Sequence, residues 1–269
     1  MGFFLVMKAE LVRTWIIMRR YWFATLTGLV VGWGMLMMLI VAFMQGGGEQ
    51  VADMVQGERG TTGALGLLIG MFAFGIVGLF TQGLQGMART GELEQVCMSP
   101  HGLVTNFLSR SFVAALTSIL TSSILLMLVA TTVKGRLHAD FVPVAVLLFL
   151  TYANLIGFGF MVGGLVLVFK QIGQVAMILR LILMALAVVA SDKIAEWPAV
   201  ARALAHVLPI TDAAICLKLV LVQGRGMGIF ATPYFVFLIV SCVVWTLIGI
   251  TCFRFLEDWS RDKGTLGAY

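Results

Sequence analysis

Charged residues are scarce in this sequence. Only 12% of its 269 residues are Asp, Glu, Lys or Arg, whereas 60% are hydrophobic, and the mean hydropathy is +1.02. Soluble domains carry about 25% charged residues. A chain of this length with about half that charge is excluded from the class of ordinary soluble domains. Its composition is typical of a protein that crosses a membrane several times.

The common motifs of catalysis and metal binding are also missing. The sequence contains no Gly-x-x-x-x-Gly-Lys-[Ser/Thr] P-loop, no His-Glu-x-x-His and no Gly-x-Ser-x-Gly. Its four cysteines lack the spacing of metal ligands, and its three histidines are far apart along the chain. We therefore predict that this chain is not an enzyme and holds no catalytic residue, metal ion or cofactor of its own.

Six runs of apolar residues are long enough to cross a membrane. A hydrocarbon core about 30 Å thick needs a helix of about 20 residues, and backbone groups inside lipid must be hydrogen-bonded within the segment. The runs are continuous, unlike the alternating segments of about 10 residues that build a β-barrel. We predict an all-α membrane protein with six transmembrane helices. The six runs are residues 22–44, 61–80, 107–133, 141–169, 175–190 and 229–253.

Two features inside these runs carry predictions of their own. Arg180 interrupts the fifth run, and we expect it near the inner end of that span, where its long side chain can reach the interface. Thr151, Tyr152 and Asn154 form the most polar group inside a run. We expect them to make interhelical hydrogen bonds rather than a substrate site, because such contacts commonly hold membrane helices together.

Residues 1–21 precede the first run and combine basic with apolar side chains. A helical period of 3.6 residues places Phe4, Leu11, Trp15 and Met18 on one face. This pattern predicts an amphipathic helix that lies in the membrane interface. A plain cytoplasmic extension of the first span remains the alternative.

The basic residues also predict the orientation of the chain. With the N-terminus inside, the inner segments carry more Lys and Arg than the outer ones, in the sense of the positive-inside rule. The net charge of +5 therefore reflects topology, and no nucleic-acid partner is predicted. Six spans then place both termini in the cytoplasm, and the acidic segment 46–60 falls outside.

Segment 191–228 is amphipathic rather than simply polar. Pro198 can open a short helix over 199–207, and Thr211 can cap a second one over 212–222. An ordinary exposed loop would leave the leucines and valines of this segment in water. We therefore predict two short re-entrant helices at the outer face, ahead of the sixth span.

The inner segment 84–106 joins the second and third runs. Connections between bundle helices are commonly about 2–8 residues long, and this one is longer and partly apolar. Leu93, Val96 and Cys97 fall on one face of a short helix, which a Ser-Pro pair then breaks. A short helix that is held by apolar contacts and presents polar groups is suited to contact with a soluble partner.

Residues 91–100 resemble the coupling segment of permease subunits in the type-two ABC exporter family. The family pattern is approximately Gly-Thr-Leu-Glu-Gln-Leu-x-x-[Ser/Thr]-Pro. The matching positions are Gly91, Leu93, Glu94, Gln95, Ser99 and Pro100, whereas Glu92 and Val96 depart from the pattern. Residues 208–211 resemble the Leu-Pro-x-Thr segment that precedes the family's last span, and residues 264–269 resemble its Gly-x-Leu-Gly-x-Tyr ending.

The resemblance implies a single transmembrane permease domain over residues 1–269, in the inner membrane of a bacterium. Two such subunits would pair, the second expected to be identical. Two separate ABC ATPase subunits, which would hold ATP and Mg, would dock on the cytoplasmic side. The substrate would be hydrophobic or amphipathic, such as a drug, a lipid or a lipid-linked molecule, and would leave the cytoplasm or the inner leaflet.

The same resemblance assigns roles to segments and residues. The implied segments are an interfacial helix (1–21), spans one to five (22–190), the outer helices (191–228), the sixth span (229–253) and a cytoplasmic tail (254–269). The implied ATPase-coupling residues are Glu92, Leu93, Glu94, Gln95, Val96, Met98, Ser99 and Pro100. Among these, Glu94 and Gln95 would contact the partner, with Leu93 and Val96 as anchors. The outer gate would consist of Leu208, Pro209 and Thr211.

Other classes of function stay open from the residues alone. An ion-coupled secondary carrier needs internal repeats and ionisable residues in mid-membrane, and neither is clear here. An intramembrane enzyme needs a catalytic constellation at membrane depth, and none is visible in the sequence. A non-transporting membrane scaffold fits the spans but gives the segment 84–106 and the re-entrant pair no purpose.

Overall fold

The computed structural model describes residues 2–44, 58–100, 102–133, 138, 140–169, 173–190, 194 and 197–263. Nearly all of these residues are in α-helices, and no β-strand occurs among them, so the predicted all-α class is confirmed. The α-helices in the described part of the chain are α1 (Gly2–Arg20), α2 (Trp22–Met44), α3 (Glu58–Thr90), α4 (Glu92–Cys97), α5 (Gly102–Val133), α6 (Phe141–Val168), α7 (Gly173–Ala190), α8 (Ala199–Val207), α9 (Thr211–Leu221) and α10 (Pro233–Asp262). A short 3-10 helix, Gly226–Ala231, precedes α10.

Several of these helices are long and apolar enough to cross a membrane. Within the described ranges, five qualify singly: Thr61–Thr90, Gly102–Val129, Phe141–Val168, Gly173–Ala190 and Pro233–Ser260. Two sharply bent pairs qualify only when their helices are taken together, α1 with α2 at 84° and α8 with α9 at 89°. The chain is therefore a multi-pass membrane protein. The count of six spans and the interfacial position of α1 stay predictions.

The helices extend further than the apolar runs that predicted them. Helix α3 continues to Thr90 and α5 begins at Gly102, so the connection between them is residues 91–101 only. The polar residues in this extension, Gln and Arg among them, are good helix formers, and no proline interrupts them. At the other end of the chain, α10 begins at Pro233, and Ile229 belongs to the 3-10 helix. Hydropathy therefore located the spans but not their ends.

Helices α6 and α10 pack along their length with their backbones almost in contact. A Cβ atom at Gly157 would lie 2.5 Å from the carbonyl carbon of Trp245, and one at Gly249 would collide with the carbonyl of Gly157. Glycine at both positions removes the side chains that would keep the helices apart, as in other membrane helix pairs. The ring of Phe160 lies 4.7 Å from that of Phe80 and 5.2 Å from that of Phe253, which joins α3 to the pair.

A second close contact joins α3 to α7, and it corrects the prediction for Arg180. This side chain does not reach the interface, because the residue is only 5% exposed and its guanidinium lies against Gly78. Its Nε–H donates to the carbonyl of Phe74 at 2.9 Å, and its Cζ lies 3.6 Å from the centroid of the Phe74 ring. The missing side chain at Gly78 leaves the space that holds the guanidinium between the helices.

Asn154 and Thr151, two members of the polar group inside α6, make different kinds of contact. The side-chain amide of Asn154 donates to the carbonyl of Pro209 at 3.1 Å and to the Ser241 hydroxyl at 3.0 Å, so the predicted interhelical bonds are confirmed for this residue. The Thr151 hydroxyl instead donates to Leu147 of its own helix at 2.7 Å, so the prediction is wrong there. A hydroxyl this close to its own backbone satisfies a carbonyl one turn back.

Candidate functional site

Helix α4 lies between two glycines that reverse the chain. Gly91 has φ 73° and Gly102 has φ 70°, a left-handed conformation that residues with a Cβ avoid. The N–H of Gly91 bonds to the carbonyl of Ala88 at 3.4 Å, and that of Gly102 bonds to Ser99 at 3.2 Å. These turns separate the short α4 from the long helices on both sides of it.

One face of α4 is fixed to the protein and the other is free. Leu93 is fully buried, and Val96 and Cys97 are half-buried against the same core, so the predicted apolar face is confirmed. Glu92, Gln95, Met98 and Pro100 are exposed, Met98 to 80%, and Ser99 is half-buried. The side chain of Glu94 lies outside the described part of the structure.

Arg110 of α5 connects three helices around this site. Its Nη2 lies 3.3 Å from Oε1 of Glu92 in α4, and its Nε lies 3.5 Å from Oε1 of Glu10 in α1. Its Nη1 also donates to the sulfur of Met87 in α3 at 2.9 Å. Glu10 was not predicted as part of this site, although it is the one acidic residue in the otherwise basic α1.

A groove opens beside α4, between α1, α3 and α5. Its volume is about 530 Å³. Its charged lining residues are Glu10, Arg13, Glu92 and Arg110, and its apolar ones include Ile17, Leu79, Phe107 and Val113. The groove therefore combines balanced charge with an apolar wall at the end of α3 that carries α4.

The predicted gate residues lie at the bend between α8 and α9, which packs beside the middle of α6 and α10. Leu217 of α9 lines the same small cavity, about 90 Å³, as Leu65 near the start of α3. Thr211 is the first residue of α9, and its hydroxyl donates to the carbonyl of Ala205 in α8 at 2.6 Å. It does not cap α9 as predicted, because Ile210 occupies the N-cap position and Thr211 is already helical.

Further polar contacts fix the bend. Nδ1 of His206 lies 2.7 Å from Oδ1 of the buried Asp212, and the indole N–H of Trp245 donates to the carbonyl of Val207 at 2.9 Å. Together with the Asn154 bond to Pro209, these contacts tie the bend to both α6 and α10. Among the described residues, no group of three or more His, Cys, Asp or Glu side chains is placed to hold a metal ion.

Comparison with known protein families identifies the family to which this chain belongs. The family model described as ABC-2 type transporter matches residues 6–221. The chain belongs to the ABC-2 type transporter family. No curated protein and no solved structure gives a significant match. The matched region of this ABC-2 permease includes α4 and both helices of the α8–α9 bend.

Family membership identifies the part of a transporter that this chain forms. An ABC-2 membrane domain is the permease component of a transporter, and such permeases associate with an ABC ATPase and with the lipid bilayer. Permease components of this kind are typically not enzymes. The resemblance of residues 91–100 to a permease coupling segment therefore led to the right family.

Thr211→Val is expected to destabilise this ABC-2 permease by about 1 kcal/mol, because the buried hydrogen bond to the Ala205 carbonyl is lost while the side-chain volume is kept. The check is the thermal unfolding midpoint of the purified protein in mild detergent. Thr131→Val is the matched control, since its exposed hydroxyl bonds only within its own helix, to Leu128 at 2.8 Å. Equal midpoints for the two variants would show that the bond across the bend contributes nothing.

Proposed function

We propose that α4 is the element through which a separate ABC ATPase moves this permease. Support comes from one observation above the others: Leu93 is fully buried while its near neighbours Gln95 and Met98 are exposed. A six-residue helix between two reversing glycines is thus held on one side and open on the other. Such an arrangement suits an element that a soluble partner pushes as a rigid unit.

The contacts of α4 indicate how a displacement of this helix would be transmitted to its neighbours. Burial of a leucine side chain contributes about 1.5–3 kcal/mol, whereas a partly exposed ion pair contributes about 0.2–1 kcal/mol. Leu93 is therefore the main attachment of α4 to the core. The Glu92–Arg110 ion pair orients α4 more than it stabilises its position. Through Arg110 the displacement reaches α5, and through Glu10 it reaches α1. Helices α1, α4 and α5 would then move together.

The proposed activity is export driven by ATP. Two copies of this permease pair in a bacterial inner membrane, and two ATPase subunits, which hold ATP and Mg, dock on the cytoplasmic side. Both termini and α4 face the cytoplasm, and the α8–α9 bend faces outward. The substrate is a hydrophobic or amphipathic molecule such as a drug, a lipid or a lipid-linked molecule. Helix α4 follows the C-terminal end of α3, whereas Leu217 of α9 lines the same cavity as Leu65 near the start of α3, and this separation supports the orientation.

The gate follows from the same contacts. Leu208, Pro209 and Thr211 form the bend, and Asn154 of α6 and Trp245 of α10 hold its backbone. A relative movement of α6 and α10 would therefore change the bend directly. We propose that this change opens and closes the exit.

Co-purification tests the docking proposal. The tagged protein is extracted from its native membranes in mild detergent, and the proteins that accompany it are identified by mass spectrometry. A P-loop protein in stoichiometric amount is expected with the unmodified chain. Gln95→Arg, on the exposed face of α4, is expected to lower its recovery at least several-fold, because a new charge enters the contact.

Gln223→Arg is the matched control, since Gln223 is also exposed but lies beyond α9, far along the chain from α4. It is expected to leave the recovery of the P-loop protein unchanged. Recovery of the permease alone, with no ATPase activity in the eluate, would contradict the proposed function and favour a carrier or a scaffold.

A further inference from the structure

Arg180 is a buried charge within a helix that is otherwise apolar. Helix α7 has 18 residues, and Arg180 is the only Asp, Glu, Lys or Arg among them. Seven residues precede it in the helix, so it lies about 10 Å from the nearer end. Charged side chains at such depth are costly and commonly mark the path of a substrate or an ion.

The contacts of Arg180 do not neutralise its charge. Its guanidinium forms no ion pair with any carboxylate in the described part of the chain. Its Nε–H donates to the Phe74 carbonyl, which α3, as a regular helix, already supplies with a bond from the N–H of Gly78. The guanidinium can therefore leave this carbonyl without orphaning it. Its Cζ also lies 3.6 Å from the centroid of the Phe74 ring, which favours a cation at this place but does not pair its charge. A methionine would fill the space with no charge to bury, so packing alone does not account for an arginine.

The surface of α3 next to Arg180 is unusual for a span. Among residues 61–90, the exposed positions are Gly75, Gln82, Gly86, Arg89 and Thr90, and none is a large apolar residue. Helices α2, α5, α7 and α10 all expose large apolar side chains. Gln82 lies one helical turn, about 6 Å along the axis, from Gly78, against which the guanidinium packs.

The same surface continues into the groove beside α4, because Gln82 and Gly86 both line it. A polar head group could therefore pass along this side of α3 without displacing large side chains. Met177 and Leu181 of α7 are exposed one turn apart on the flank of the helix next to Arg180, and they offer an apolar surface for a hydrocarbon chain. A cation, a small polar strip and an adjoining apolar face together match an anionic amphiphile.

We propose that Arg180 binds the anionic group, a phosphate or a carboxylate, of the amphiphile that this permease carries. The guanidinium turns from the Phe74 carbonyl to the anion, which it can hold through two parallel N–H donors. The hydrocarbon part lies along Met177 and Leu181. That the permease transports this amphiphile rests on the proposed function, whereas the binding site itself rests on the geometry of α3 and α7.

Binding is tested on the purified chain in a neutral maltoside detergent, without ATPase or nucleotide. The probes are dodecyl phosphate, zwitterionic dodecylphosphocholine and inorganic phosphate, each titrated while the thermal unfolding midpoint is recorded. Dodecyl phosphate is expected to raise the midpoint at concentrations at which the other two do not. Arg180→Met is expected to weaken this binding at least about tenfold, the effect of removing a hydrogen-bonded charge.

Arg180→Lys is the second variant and keeps the charge if the methionine variant fails to fold. It is expected to bind dodecyl phosphate more weakly than the unmodified chain, because an ammonium lacks the two-pronged donor geometry. An equal response to dodecyl phosphate in the unmodified chain and both variants would overturn the proposal. An equal response to inorganic phosphate would overturn it as well, because the site would then recognise a free anion.

The two proposals fail separately. If a P-loop protein co-purifies with the permease but dodecyl phosphate does not bind, only the Arg180 site is wrong. If dodecyl phosphate binds in an Arg180-dependent way and no ATPase accompanies the chain, the site stands and the transport proposal is wrong.

Discussion

Leu93→Asp is expected to reduce the recovery of the partner ATPase at least tenfold while the chain remains inserted in the membrane. Leu93 is the fully buried contact of α4, and a carboxylate in its place must either lose its hydration or leave the core. Because burying the charge in the core costs several kcal/mol, α4 is expected to detach from the core. A decrease of only 1.4 kcal/mol in the favourable free energy of docking already lowers the association constant tenfold.

Met98→Asp provides the comparison for this variant. Met98 is 80% exposed just after α4, so an aspartate there is hydrated and leaves the attachment of α4 unchanged. Its effect on ATPase recovery is expected to be much smaller than that of Leu93→Asp. Correct insertion of both variants is checked by their yield and by their size-exclusion profile in detergent. If the ATPase is recovered equally with Leu93→Asp and with the unmodified chain, the burial of Leu93 does not control docking.

Gly157→Ala is expected to lower the stability of the permease by about 3 kcal/mol, the upper part of the usual range for overpacking. The new methyl group would meet the backbone of Trp245 and Thr246 at 2.5–2.6 Å, and a helix backbone cannot move aside as a flexible side chain can. The whole contact between α6 and α10 must open to admit it. The measurement is the thermal unfolding midpoint in mild detergent, which is expected to fall by several degrees.

Gly34→Ala is the matched control, because no atom beyond its chain neighbours and its own helix backbone lies within 4 Å of a Cβ placed at Gly34 in α2. Alanine is also the better helix former by about 1 kcal/mol, so this variant is expected to be neutral or slightly stabilised. Similar midpoints for the two alanine variants would mean that α6 and α10 do not pack as closely as the structure shows.

The sequence predicted those parts of the molecule that depend on local pattern. Apolar length located every helix that qualifies singly as a span, and the spacing of Leu93, Val96 and Cys97 predicted the buried face of α4. Both are properties of consecutive residues, so no knowledge of the neighbours is needed. The short helix Ala199–Val207 was predicted with its correct bounds for the same reason, since prolines flank it on both sides.

The parts that could not be predicted depend on which helices meet. Arg180 is buried because Gly78, about 100 positions earlier in the chain, leaves space beside it, as the separation of 106 between Arg180 and its acceptor Phe74 illustrates. The pairing of Glu10 with Arg110 likewise joins distant helices. The acidic segment 46–60 and the ending 264–269 fall mostly or wholly outside the described residues, so the predictions made for them stay predictions.

The hydrogen bonds of Asn154 have a consequence for how the protein is made. Both of its partners, Pro209 and Ser241, come later in the chain, the second of them 87 positions later. During synthesis α6 therefore enters the bilayer with an amide that has no native partner until α8, α9 and α10 follow. A nascent chain that stalls after α7 displays this amide and the open Gly157 surface to lipid. Those two features distinguish an unfinished chain from a completed one.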